Sequence, residues 1–230
     1  MKKIFPFAVA LSLALLVVWQ IFAGEKNYYL LITAVLVLSM IPFFVSFERE
    51  RITSREITLV ASLVALAVVS RAVFYLVPQI KPIGAVVAVS GVCLGAKRGY
   101  LVGAFSMLVS NFIFGQGIWT PFQMVAMGLV GLIFGAVFSK IKANKISLSV
   151  VGFLSVTVVY GLIVDLSTVL MLSGDINVKS VLSVYLAGLP FNLIFGVTTA
   201  VFLFLFGEAF IKKIDRINIK YGICNNEVSL

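Results

Sequence analysis

Two ionisable residues stand inside long apolar runs, Arg71 and Asp165. In a bilayer such groups are costly enough to mark a functional site by default. Arg71 lies six residues before the end of its run at Val77, and Asp165 seven before the end of its own at Leu172. At about 1.5 Å per residue, both heads sit roughly 10 Å below the same boundary. They are therefore positioned to pair with each other or to line one polar cavity. Gly161 and Thr168 share the Asp165 face at helical spacing, Asn111 and Gln123 flank the turn Gly115-Gln116-Gly117, and Asn192 lies deeper in the last apolar run. These are hydrogen-bonding and ion-pairing groups, suited to holding a ligand.

Bond-making chemistry finds little support. The chain has no His, which removes the commonest general base and transition-metal ligand. Cys93 lies in an apolar run and Cys224 near the end of the chain, so a thiolate metal site would lack partners. No GxxxxGK[ST] loop is present, since Gly91–Lys97 fails both its spacing and its Ser/Thr, and nucleotide hydrolysis is not expected of this chain. No paired carboxylates and no HExxH occur in one run. The expectation is a protein that is not an enzyme and holds neither cofactor nor metal.

The densest group of polar and aromatic residues is Ser110–Met124. Gly115 and Gly117 supply a tight turn, and Thr120, Pro121 and Gln123 read as a helix start, with Thr at the N-cap and Pro at the first helical position. Gln116 and Trp119 are then the residues of the turn placed to touch a ligand, although Trp119 also suits an interfacial anchor.

The elements that carry these residues follow from composition. Of 230 residues, 61% are hydrophobic and 12% charged, and the mean hydropathy is +1.14, which identifies an integral membrane protein. Eight apolar segments are expected: Ile4–Ala23, Tyr28–Phe47, Ile57–Val77, Ile83–Leu94, Tyr100–Phe114, Pro121–Phe138, Ile146–Leu172 and Val181–Phe210. With loops assigned alternately, only Lys26, Arg71, Lys81 and Lys179 of the 18 Lys and Arg fall on one side. The positive-inside rule then makes both termini cytoplasmic and turns Gly115-Gln116-Gly117 outward. Because the basic residues are scattered between apolar runs, the charge of +9 reports orientation and not a nucleic-acid partner. The first segment also admits a reading as a cleaved secretory signal.

The interleaved charges of Glu48–Glu56 are the strongest break in composition, and Thr53 or Ser54 is expected to cap the helix that follows. The chain is thus an all-α membrane protein with a two-helix N-terminal hairpin (1–50), a six-helix core (51–212) and a cytoplasmic tail (213–230). Gly91, Gly95, Gly99 and Gly103, and Gly128, Gly131 and Gly135, are expected to let three core helices pack closely. Ala61 and Ala65 form a small-xxx-small pair, roughly 80–120° around the helix from Arg71.

The six-helix core, the Ala61-Ser62-Leu63-Val64-Ala65 pair and the outward loops resemble the substrate-binding S components of energy-coupling factor (ECF) vitamin transporters. Lys81-Pro82-Ile83-Gly84-Ala85, with Gly91 and Gly95 beyond it, and Gly115–Met124 look like the branch assigned to cobalamin or related corrinoids. The resemblance covers roughly Ile52 to Lys213, and the Trp119-Thr120-Pro121-Phe122-Gln123-Met124 run is its more specific part. It implies that Ala61 and Ala65 dock on a transmembrane coupling protein, that two ATPase subunits supply the energy, and that outer loops enclose a small-molecule vitamin. The bacterial plasma membrane would be the location. The N-terminal hairpin is additional to the usual six helices.

The resulting substrate-site candidates are Arg71, Lys81, Asn111, Gln116, Trp119, Gln123, Asp165 and Asn192. Two other readings stay open at this point. One is a proton-coupled secondary transporter using Asp165. The other is a structural assembly partner in which Arg71 and Asp165 only hold the bundle together.

Overall fold

A computed structural model of the chain describes residues 34, 36–38, 40, 41, 53–78, 80–172 and 177–223. The expected segment Ile4–Ala23 lies outside the described residues, and so does most of Tyr28–Phe47, where the described residues are helical. From Ser54 onward the elements are α1 (Ser54–Val73), α2 (Ile83–Leu94), α3 (Ala96–Phe114) and α4 (Thr120–Phe138). The fifth helix, α5, joins Lys145–Leu154 and Gly161–Leu172 through a π-helical stretch, Ser155–Tyr160. The last, α6, joins Val178–Phe202 and Glu208–Tyr221 through the π-helical Leu203–Gly207. No strand occurs among the described residues.

Helix starts are set by local hydrogen bonds. The Thr53 hydroxyl accepts from the Glu56 amide at 3.3 Å, as its sequence position predicts, and Glu56 in the first turn complements the helix dipole. α5 and α6 begin with reciprocal caps that the apolar pattern alone does not reveal. Asn144 accepts from the Ser147 amide at 2.8 Å, Asn177 accepts from the Ser180 amide at 2.9 Å, and each serine hydroxyl accepts from its Asn amide in return. Ser here replaces the usual Glu or Gln of a capping box.

α2 is the centre of the bundle. All of its residues are buried, and it packs against α1, α3, α4 and α6. At 12 residues it reaches only about 18 Å, short of the roughly 30 Å hydrocarbon layer. Among the described residues, four helices are long and apolar enough to cross a membrane: Ser54–Val73, Thr120–Phe138, Lys145–Met171 and Val178–Tyr221. On α6, Leu182, Leu186, Leu193, Val197, Val201 and Phe204 are exposed, which in a membrane places apolar surface against lipid.

The α2–α3–α4 contact runs through glycine. A Cβ on Gly91 or Gly99 would strike the Gly131 carbonyl, and one on Gly131 would strike the Gly99 carbonyl. Gly103 faces the Met127 carbonyl and Gly135 the Ala96 amide in the same way. Backbone against backbone is the packing that small residues permit where no hydrophobic drive separates helix from lipid. Gly95 has a different task from the one its spacing predicts: with φ of 83° it forms the sharp turn between α2 and α3, a conformation that favours glycine.

At the lysine-rich end, Glu56 of α1 pairs with Arg98 of α3. Lys145 donates its amide to Glu208 at 3.0 Å, and Asn218 donates to the Cys93 carbonyl at 3.4 Å. The residues assigned by sequence to a tail from 213 continue α6 to Tyr221, with Ile214 and Asn218 buried. The glycine contact yields a direct test. Gly131→Ala should lower unfolding stability in detergent by about 1–3 kcal/mol through overpacking, whereas Ala65→Leu, at an exposed position of α1, should leave the thermal midpoint unchanged.

Candidate functional site

A cavity of about 410 Å³ opens among the ends of α1 to α4 nearest the Gly-Gln-Gly turn and the facing stretches of α5 and α6. Arg71 from α1, Lys81 from the α1–α2 connection, Met107 from α3 and Gln123 from α4 form one side. Tyr160, Asp165 and Thr168 from α5 and a strip of α6 form the other. The strip consists of Val184, Ala187, Gly188, Phe191, Asn192 and Phe195, whose spacing is that of one helix face.

The basic wall is built on the last turn of α3. Arg71 is only 7% exposed, and its Nη1 donates to Ser110 Oγ at 2.5 Å and to Asn111 Oδ1 at 2.9 Å, with Met107 Sδ at 3.7 Å. Its guanidinium lies 4.2 Å from the centre of the Phe114 ring, and Lys81 Nζ lies 5.4 Å from the same centre. Two cations thus share one aromatic ring, beside a helix C-terminus whose dipole also favours positive charge.

The same Asn111 organises the turn. Its Nδ2 donates to Gln123 Oε1 at 2.9 Å and to Thr120 Oγ1 at 3.2 Å. Thr120 donates to Gln116 Oε1 at 3.0 Å, and Gln116 Nε2 donates to the Leu108 carbonyl at 2.9 Å. Gly115, with φ of 102°, lets the chain leave α3 while its amide still bonds the Asn111 carbonyl at 2.8 Å.

The acidic wall is simpler. Asp165 Oδ2 accepts from Asn192 Nδ2 at 2.7 Å. Gly188 faces this carboxylate, and a Cβ there would collide with it. Gly161 faces Asn192 in the same manner. Tyr160 and Phe195 meet edge to face at 5.1 Å between ring centres and give the cavity an aromatic floor.

This helical chain, with its buried basic and acidic walls, can be set beside known families. A profile of the ECF-type riboflavin transporter S component family matches residues 51–212. The chain belongs to that family. No curated protein and no solved structure matches it. ECF S components are multi-pass proteins of the bacterial plasma membrane that bind small vitamins and work with a coupling protein and ATPases; the family is one of transporters, not of enzymes.

Several expectations for this S component change in detail. Arg71 and Asp165 do not pair with each other. Each has acceptors or donors of its own on a neighbouring helix, and the cavity separates them. Thr120 is not the N-cap of α4. Trp119 holds that position, Thr120 is the first helical residue, and its hydroxyl serves Asn111, Gln116 and the Gly117 amide instead. Arg71, Lys81, Gln123, Asp165 and Asn192 line the cavity, while Asn111 stands directly behind Arg71. Gln116 and Trp119 are not among the lining residues. Gln116 is occupied in bracing the turn, and the Trp119 ring packs over Gly117.

Sequence reasoning missed Tyr160, Gly188, Phe191 and Phe195 as lining residues. The signal was available in the helical spacing of the last three with Asn192, but it is hidden in a run that is apolar on every face.

Two tests follow. Asn111→Leu removes one of the two side-chain oxygen acceptors of Arg71 and the donor to Gln123 and Thr120 together. Leaving buried polar groups unpaired costs about 1–3 kcal/mol each, so Asn111→Leu should lower the thermal midpoint much more than Gln116→Leu. The second concerns Lys81, whose pKa is lowered from the ordinary lysine value by burial and, after that, by the Arg71 charge. Between the lowered folded value and the ordinary one, the unfolded chain binds more protons, so stability rises with pH across that window. The wild-type chain should gain stability relative to Lys81→Gln over that window in chemical denaturation, and a difference that stays flat with pH would refute the assignment.

Proposed function

We propose that this chain is the substrate-binding component of an ATP-driven ECF-type vitamin importer, with the ligand held between the Arg71–Lys81 wall and the Asp165–Asn192 wall. The observation that carries the reading is a cavity whose buried opposite charges do not neutralise each other. Arg71 and Asp165 are held by other partners and not by each other, which favours this reading over one in which their ion pair merely holds the bundle together.

The positive-inside rule supports the orientation, because it puts the lysine-rich end of the bundle in the cytoplasm and the cavity on the outer side. Ala61 and Ala65 are exposed on α1 while Arg71 on the same helix is buried. This arrangement supports a smooth outer face on which the coupling protein docks, with energy supplied by two ATPase subunits. Residues 51–212 are then the transport core, and the N-terminal hairpin is an addition to it.

For the ligand, the matched family carries riboflavin in its description, and nothing in that match supports the corrinoid reading. The volume of about 410 Å³ lies toward the lower end of the roughly 300–1,000 Å³ range of small-molecule sites. A flavin fits such a space, whereas a corrin ring with its nucleotide loop is several times larger and would have to sit mostly outside it.

The purified chain should therefore quench riboflavin fluorescence without nucleotide, and proteoliposome uptake should require the coupling module and ATP. Trp substitutions at both Ala61 and Ala65 should abolish uptake and preserve binding. Full-rate uptake in partner-free liposomes would overturn the importer-component reading. Tight binding of cobalamin with no binding of riboflavin would overturn the ligand and leave the transporter class standing.

A further inference from the structure

The two walls of the cavity differ in what they leave unused. Arginine carries five N–H donors, and the Arg71 hydrogen bonds all leave from Nη1. Among the described residues, its Nη2–Nε edge has no hydrogen-bond partner, although the side chain is more than nine-tenths buried and lines the cavity. That edge is the planar fork that matches a carboxylate or phosphate in two parallel bonds. Lys81 lines the same wall, over the same Phe114 ring. Across the cavity, Asp165 is 8% exposed and is the only carboxylate among the described lining residues. Its Oδ2 is taken by Asn192, Oδ1 has no donor among the described residues, and Gly188 leaves the space beside it clear of a side chain.

Among the described residues, two cations thus face one carboxylate across the cavity. A neutral ligand would leave a cation there without a counter-charge, at the cost that burial of an unpaired charge carries. We propose that the ligand is a compact aromatic anion: its carboxylate or phosphate meets the Arg71 Nη2–Nε edge and Lys81 Nζ, and a hydroxyl or N–H at its other end donates to Asp165 Oδ1. Tyr160, Phe191 and Phe195 flank its ring system between the two ends. This deepens the vitamin-binding reading and rests on it, and it makes the charge of the ligand, not only its shape, a determinant of specificity.

The test uses the full chain in mild detergent and a matched pair of probes, riboflavin and riboflavin 5′-phosphate, with sodium phosphate against sodium chloride at equal ionic strength as a probe independent of flavins. The phosphorylated flavin should bind at least roughly 10-fold more tightly, as expected for a charge-assisted bidentate contact, and Lys81→Gln should erase most of that preference. Phosphate should raise the thermal midpoint by several degrees over chloride in the wild-type chain and in Asp165→Asn, and should fail to do so in Lys81→Gln and Arg71→Gln. Lys81→Gln keeps the test valid if Arg71→Gln does not fold. Equal or weaker binding of the phosphorylated flavin, with no phosphate-specific stabilisation, overturns the anionic ligand and leaves the flavin reading intact. Phosphate stabilisation through Lys81 with neither flavin bound supports the anion site and overturns the flavin reading instead.

Discussion

A guanidinium buried among apolar helices has to be hydrogen-bonded, and in this protein that requirement organises one whole end of the bundle. Arg71 takes its acceptors from the last turn of α3, Ser110 and Asn111. Asn111 has donors to spare and spends them on Gln123 and Thr120 of α4. Thr120 in turn holds Gln116. One charge therefore fixes the relation of α1, α3 and α4 and the path of the loop between the last two. A residue that would be a liability in a lipid-facing position becomes the anchor of the site because its partners lie on different helices from itself.

The opposite end is held by a different kind of contact. Glycines in α2, α3 and α4 bring backbones together, and this close approach lets a helix too short to cross the hydrocarbon layer sit at the centre with all its residues buried. Because α2 starts only at Ile83, the space above its first turn is not filled by helix. Lys81 and Ile83 border the cavity there. The shortness of α2 and the existence of the cavity are the same structural fact seen from two sides.

α5 and α6 complete the site with a looser element of the fold. A π-helical stretch ends at Tyr160, just before Gly161 and Asp165, and the extra residue per turn re-aims the side chains that follow it. Pro190 interrupts α6 between Gly188 and Phe191 and leaves the carbonyl four residues before it without its helical donor. Gly161 and Gly188 then allow Asn192 and Asp165 to reach across between the two helices. The acidic wall thus depends on irregular helix and absent side chains, whereas the basic wall depends on a hydrogen-bond network.

Much of this was legible without coordinates. Hydropathy and the distribution of Lys and Arg gave the membrane class, and the helix Ile83–Leu94 falls where the apolar run places it. The rarity of charge in the runs singled out Arg71 and Asp165, because in a membrane the energetic cost of such residues makes them informative one at a time. The family resemblance rested on longer motifs and agrees with the family match over 51–212, though not with the corrinoid branch. What only the tertiary structure decided is how polar groups share partners. Whether Arg71 pairs with Asp165 or with Asn111, whether Thr120 caps its own helix or braces its neighbour, and whether Gln116 faces a ligand or the Leu108 carbonyl are choices between hydrogen bonds of similar strength. Sequence spacing ranks residues along one helix, but such choices are settled by the distance between helices, and that distance is set here by glycine contacts between the helices.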